Sequence, residues 1–176
     1  RGGIGKHYDR HTFTIVGEFG YFAELAGAVP VRAGASTIAP PLLSAAFGRV
    51  EAGRVEQHGY VFQIFLPDAQ GGSLPEAANG GGRGIAVAAD RAEVGWRCYA
   101  WPKEHGQTGR RAFFLDESQY VLACDNTLRT YSGSDRAPAP DAARLPAGNT
   151  TPDATNPDSP RADGQGNDGE TWRRVR

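Results

Sequence analysis

The stretch Tyr60-Val61-Phe62-Gln63-Ile64-Phe65-Leu66 restricts the fold more than any other part of the chain. β-branched and aromatic residues at this density suit a pleated strand, and Pro67-Asp68 closes it. His58-Gly59 ahead of it reads as a two-residue turn, because Gly supplies a positive φ. Shorter strand pieces are expected around Arg49 to Glu51 and Arg54 to Gln57. Trp96-Arg97-Cys98-Tyr99-Ala100-Trp101, ended by Pro102, is a second strong strand. Arg111 to Leu115 and Tyr120 to Cys124 follow, joined by a tight turn at Asp116 to Gln119. Strands with connections this short are most simply an antiparallel meander. With Glu117-Ser118 as the turn, Phe114 faces Val121 and Arg111 faces Cys124. With Trp101 opposite Arg111, Cys98 faces Phe114. Cys98 and Cys124 then point to opposite faces, which disfavours a bond between them. Two cysteines permit a disulfide without implying one, and the simpler reading is two small buried apolar residues.

Helical pieces are expected before the sheet. Phe22, Leu25 and Ala26 share one helical face within Tyr21 to Ala26, and Gly27 is a stop. Pro40-Pro41 opens a second short helix over Leu42 to Phe47, where a first-turn proline loses no bond. Residues 68 to 92 are Gly- and Ala-rich and read as a long loop, with a helical turn near Asp90. The expected class is therefore α+β: short N-terminal helices packed on an antiparallel meander, then a long irregular C-terminal segment. The expected division is a lead-in at 1–16, a globular domain at 17–131, a polar segment at 132–170 and a C-terminal end at 171–176. Residues 132–170 carry no aromatic, Val or Ile, so they bury too little to offset their ordering entropy and are expected as an extended surface segment. Trp172 is expected to dock that end back on the domain.

Composition narrows the functional classes. The chain has 176 residues and a net charge of −1, with 24 Gly and 12 Pro. Near-neutral charge and the lack of a basic stripe give no nucleic-acid signature. No apolar run is long enough to cross a membrane. The absence of Met and the start at Arg1 suggest a fragment or a processed product. His7, Asp9 and His11 alternate as imidazole and carboxylate groups do in zinc or copper sites. Asp163, Asn167, Asp168 and Glu170 form an oxygen- and glycine-rich loop of the kind that takes calcium, without the EF-hand spacing. Ser118, His105 and Asp116 lie near one another in sequence, but hairpin ends lack an oxyanion hole. Gly80 to Gly84 lacks the Lys-Ser/Thr of a phosphate loop. The aromatic residues of the strands read first as core. Tyr99 and Trp101 share a face and are the candidate partner surface, for a polysaccharide or a protein.

Several blocks in order carry a family resemblance. They are Gly17-Glu18-Phe19-Gly20-Tyr21-Phe22-Ala23-Glu24-Leu25-Ala26-Gly27, Leu42-Leu43-Ser44-Ala45-Ala46-Phe47-Gly48 and Gly59 to Pro67. Cys98-Tyr99-Ala100-Trp101-Pro102 and Thr108-Gly109-Arg110-Arg111-Ala112-Phe113-Phe114 follow, and Asp168-Gly169-Glu170-Thr171-Trp172 comes last. From Gly17 to Trp172 the chain resembles the globular head of bacterial prepilin-like proteins, the type IV pilins and type II secretion pseudopilins. The resemblance implies an N-terminal apolar helix behind a prepilin-peptidase site, anchoring the subunit in the inner membrane and then packing in a filament. That helix is missing here, so the fragment is expected to be monomeric. The resemblance also implies an extracellular or cell-surface structural protein, with other pilin-like subunits as partners and no catalytic residues. Some pseudopilins hold calcium in a C-terminal loop, which favours that use of the acidic loop; otherwise no cofactor is expected. The alternative is a secreted binding module using the aromatic sheet face.

Overall fold

A computed structural model describes residues 18–32, 34–144 and 164–175. Eight strands make its regular frame: β1 (Val55–Gln57), β2 (Tyr60–Pro67), β3 (Ser73–Pro75), β4 (Arg97–Pro102), β5 (Ala112–Asp116), β6 (Leu122–Cys124), β7 (Gly164–Gln165) and β8 (Thr171–Arg174). They form one antiparallel sheet in the order β1-β2-β4-β5-β6-β8-β7, with β3 also paired to β2 beside β1.

This corrects the α+β expectation. The fold is mainly β, and its helices are single turns: α1 (Phe22–Leu25), α2 (Ala89–Ala92) and a 3-10 turn at Ala45–Gly48. Helices so short do not sustain themselves in water. The helix expected over 42–47 is cut to the 3-10 turn because Leu42 and Leu43 direct their N–H groups outward, both to the Leu25 carbonyl at 2.8 and 3.1 Å. Tertiary bonding takes the donors that a helix would have used internally.

The two faces of the sheet are both apolar. In β5 the alternation is complete: Ala112, Phe114 and Asp116 are buried, while Phe113 and Leu115 are half-buried. Ala112 and Phe114 belong to the larger core, with Val61, Phe65, Tyr99, Trp101, Leu122 and Trp172. Tyr99 sits at its centre, with ring centroids 4.8 Å from Phe114 and 6.0 Å from Trp172.

The cover over this face is the stretch after β6. Instead of running along the surface, it crosses the sheet and buries Tyr131, Ala142 and Ala143. The polar tips of the core aromatics secure it. Trp101 donates its indole N–H to the Gly133 carbonyl at 2.8 Å, and the Tyr99 hydroxyl accepts from Ala143 N at 3.1 Å. Small alanines let the backbone approach the sheet closely, and the buried rings find partners for their polar ends. The chain then returns through β7 and β8, which add to the β6 edge and seat Trp172 in the core.

On the opposite face, α1 and the 3-10 turn cover the β1–β2 end. Tyr21, Phe22, Val55, Ile64 and Leu66 form a second core there. Two buried carboxylates tie this cover down. Glu24 accepts from the N–H groups of Tyr21, Arg32 and Gly82 at 2.9–3.0 Å and pairs with the Arg32 guanidinium at 3.1 Å. Glu76 accepts from Phe22, Ala23 and Gly81 at 3.2, 2.9 and 2.8 Å. The Gly80 to Gly84 loop thus turns two of its N–H groups onto carboxylates of the protein itself. At Gly82 an added Cβ would lie 2.6 Å from the Tyr21 ring, which is why this loop carries no side chain there.

Candidate interaction surface

The cover on that second face stops at Phe62. Phe47 of the 3-10 turn packs edge-on against it, with centroids 5.4 Å apart. Beyond Phe62 the sheet surface continues as a shallow channel of about 350 Å³ lined by Tyr60, Phe62, Cys98, Ala100, Phe113, Phe114, Leu115 and Val121. Its floor follows from the register. Phe62 stands opposite Ala100, and Ala100 opposite Phe113; likewise Ile64 faces Cys98 and Cys98 faces Leu115. One row of cross-strand partners therefore presents its apolar side chains to the open side of the sheet. Ala100 in the middle of the row makes the depression, and Tyr60 and Phe113, 5.9 Å apart, wall one end.

The channel offers no titratable chemistry at neutral pH. Cys98 is its single nucleophile, and burial pushes its thiol up to about 12. Cys124 lies on the other face, and burial, with Glu170 adding, takes its thiol to about 12 as well. Both cysteines are free.

The site residues expected from sequence fall elsewhere. Tyr99 and Trp101 share a face, but it is the core face, and both are fully buried, so they present nothing to a partner. Of the oxygen-rich loop, Asp163 lies outside the described residues and Asn167 is exposed. Asp168 is buried and accepts from the Tyr131 hydroxyl at 2.8 Å and from the Trp172 indole at 3.2 Å. Glu170 is buried and accepts from Leu128 N and Arg129 N at 2.7 and 2.8 Å. These carboxylates bind the loop that follows β6. Among the described residues no cluster of three or more His, Cys, Asp or Glu side chains is placed to hold a metal ion. His7, Asp9 and His11 lie outside the described residues. Ser118 donates its hydroxyl to Asp116, whereas His105 stands at the other end of β5, so these three do not converge.

The channel residues went unnoticed in the sequence because each was read singly as core. The signal was present: β2, β4 and β5 are apolar at both odd and even positions. A half-solvated antiparallel strand alternates apolar with polar, so strands apolar on both sides call for a cover on both sides. No protein-family model, no curated protein and no solved structure matches the chain.

Proposed function

We propose that this domain is the head of a pilin-like or pseudopilin-like subunit, and that an apolar helix lies along the channel. One observation carries the reading: a sheet with two apolar faces has a built cover over one face and only part of the other. Leaving such a row in water forgoes roughly 25 cal/mol for each Å² that a partner surface would bury. The family that the sequence resembles supplies a cover of matching chemistry, a long apolar helix at the N-terminus. In this reading the domain acts by packing and display, and carries out no reaction.

Ala100 is the position to test. It lies at the channel floor, half-exposed, with Phe62 and Phe113 on either side. In the subunit with its native upstream sequence, produced in its own bacterium, Ala100→Glu is expected to abolish filament incorporation while the isolated head keeps its melting temperature. Leu128→Glu, at an exposed site outside the channel, is expected to incorporate normally. Normal incorporation of Ala100→Glu, or an upstream sequence bearing a secretory signal without an apolar helix, would overturn the proposal.

A further inference from the structure

A second cavity lies in the cover over the closed face, and polar groups line it. It measures about 410 Å³ and sits between the segment that follows β6 and the turn that joins β7 to β8. That size falls within the roughly 300–1,000 Å³ of small-molecule pockets. We propose that it binds a carboxylated sugar, a hexuronate, with the carboxylate on Arg129 and Arg136 and the hydroxyls on Asp141 and Asn167. The cavity shares no residue with the channel, so this site does not depend on what covers the latter.

Two guanidinium groups supply the anion-binding part. Arg129 is anchored by its Nε, which donates to the Asp168 carbonyl, and Arg136 by its Nη1, which donates to the Thr130 hydroxyl at 2.9 Å. Each anchor uses one of five N–H donors and leaves the others for a ligand. Both arginines are exposed members of the lining, and neither forms an ion pair with a described residue. Their fork of donors matches the two oxygens of a carboxylate. The backbone between them is held in an uncommon shape. Thr130 stands at φ 48°, which a β-branched residue rarely adopts. Buried Asn126 clamps it, accepting from Tyr131 N at 2.6 Å and donating to the Tyr131 carbonyl at 3.0 Å. Conformations of this kind persist where the surrounding structure fixes them, and they concentrate at ligand sites.

Other lining residues supply acceptors. Asn167 donates through Nδ2 to the Asp141 carbonyl and to its Oδ2, at 3.2 and 3.3 Å. Among the described residues no donor reaches Asn167 Oδ1 or Asp141 Oδ1, and both suit hydroxyl groups. Asp168 is a different case, because its oxygens accept internally from the Tyr131 hydroxyl, the Trp172 indole and Glu170 N. Three alanines, Ala137, Ala139 and Ala142, make the apolar part of the lining beside Tyr131. Methyl groups leave room for a ring and suit its C–H faces, while the lining has no large aliphatic side chain to receive an apolar ligand. An acetate would satisfy the arginines alone, and a neutral sugar only Asp141 and Asn167. A hexuronate carries both groups on one ring.

The test is an NMR titration of the whole chain that follows the Asn167 side-chain amide and the Arg129 Nε–H. Its arms are sodium glucuronate, glucose, sodium acetate and a galacturonate trimer, at ionic strength held equal with sodium chloride. Saturable shifts of both resonances are expected with glucuronate, with glucose and acetate each at least about tenfold weaker. A tighter response to the trimer than to glucuronate would identify the source as a uronate chain; an equal response would identify the single sugar. Arg136→Gln is expected to weaken glucuronate binding about tenfold or more, followed at the Asn167 amide. Asp141→Ala is expected to weaken it as well, followed at the Arg129 Nε–H, and to leave the acetate response unchanged. Absence of a saturable shift with glucuronate, an acetate response as tight as that to glucuronate, or undiminished binding by a folded Arg136→Gln protein would overturn the assignment.

Discussion

At Glu76 one carboxylate satisfies three backbone N–H groups, from Phe22, Ala23 and Gly81. It joins α1 to the glycine loop across more than fifty residues of chain. Stranding buried donors costs about 1–3 kcal/mol each, so Glu76→Ala is expected to destabilise the fold by on the order of 3 kcal/mol or more in urea unfolding. The same residue sets a pH dependence. Burial raises the Glu76 carboxyl above its ordinary value of 4.5, with the three N–H donors opposing and Glu24 adding to the rise. The folded chain then holds this proton to higher pH than the unfolded chain does. The stability linked to it is fully present below 4.5 and is lost as pH climbs through the raised folded value. Asp168, raised by burial, contributes with the same sign. Urea midpoints measured from pH 4.5 upward are expected to fall for the native chain and to fall less steeply for Glu76→Gln. An equal slope in both would show that the proton is bound elsewhere.

The strands were legible as elements, and their pairing was legible only in part. The segments expected as strands at 60–66, 96–101 and 111–115 occupy Tyr60–Pro67, Arg97–Pro102 and Ala112–Asp116. The register was not. Cys98 faces Leu115 rather than Phe114, and Cys124 faces Ala112 rather than Arg111. Each ladder is offset by one residue from the expected pairing, and at β5–β6 the cause is a turn longer than the expected two-residue hairpin. Gln119, at φ 63°, extends the turn after β5, and β6 starts only at Leu122. Two slips of one residue restore the parity, so Cys98 and Cys124 still lie on opposite faces. Of the helical pieces, those expected at Tyr21 to Ala26 and near Asp90 are present as the single turns Phe22–Leu25 and Ala89–Ala92, while the one over 42–47 shrinks because apolar spacing within one turn is equally the spacing of a loop whose N–H groups bond elsewhere. The C-terminal stretch misled because alanine and backbone carbonyls, rather than large apolar residues, do its packing at Ala142, Ala143 and Gly133. A consequence follows for the thiols. With both near 12 and on opposite sides of the sheet, oxidation of the folded chain is expected to give no internal disulfide. Mass spectrometry after mild oxidant should find two free thiols per chain, and a loss of two hydrogens would contradict the register.

At the scale of the molecule, the sheet divides its work between two faces. One is closed by the chain's own crossing segment, which uses the hydroxyl of Tyr99 and the indole of Trp101 as anchor points. The other is closed over β1 and the far half of β2, then opens into the apolar channel. The aromatic residues that the sequence offered as a partner surface are what holds the closed side together. The open side is made of the residues between them, at alternate positions of the same strands. This division underlies the proposed role, since a head that packs against a helix needs one finished face and one unfinished face. Cys98 reports on the unfinished one, because it lines the channel and Cys124 does not. The decisive measurement is the rate of maleimide labelling of Cys98 in a Cys124→Ser background, compared between the isolated head and the subunit assembled with its native upstream sequence. The account predicts labelling at least about tenfold slower in the assembled form. Equal rates in both would show that the channel stays open to water, and that its apolar lining has another purpose.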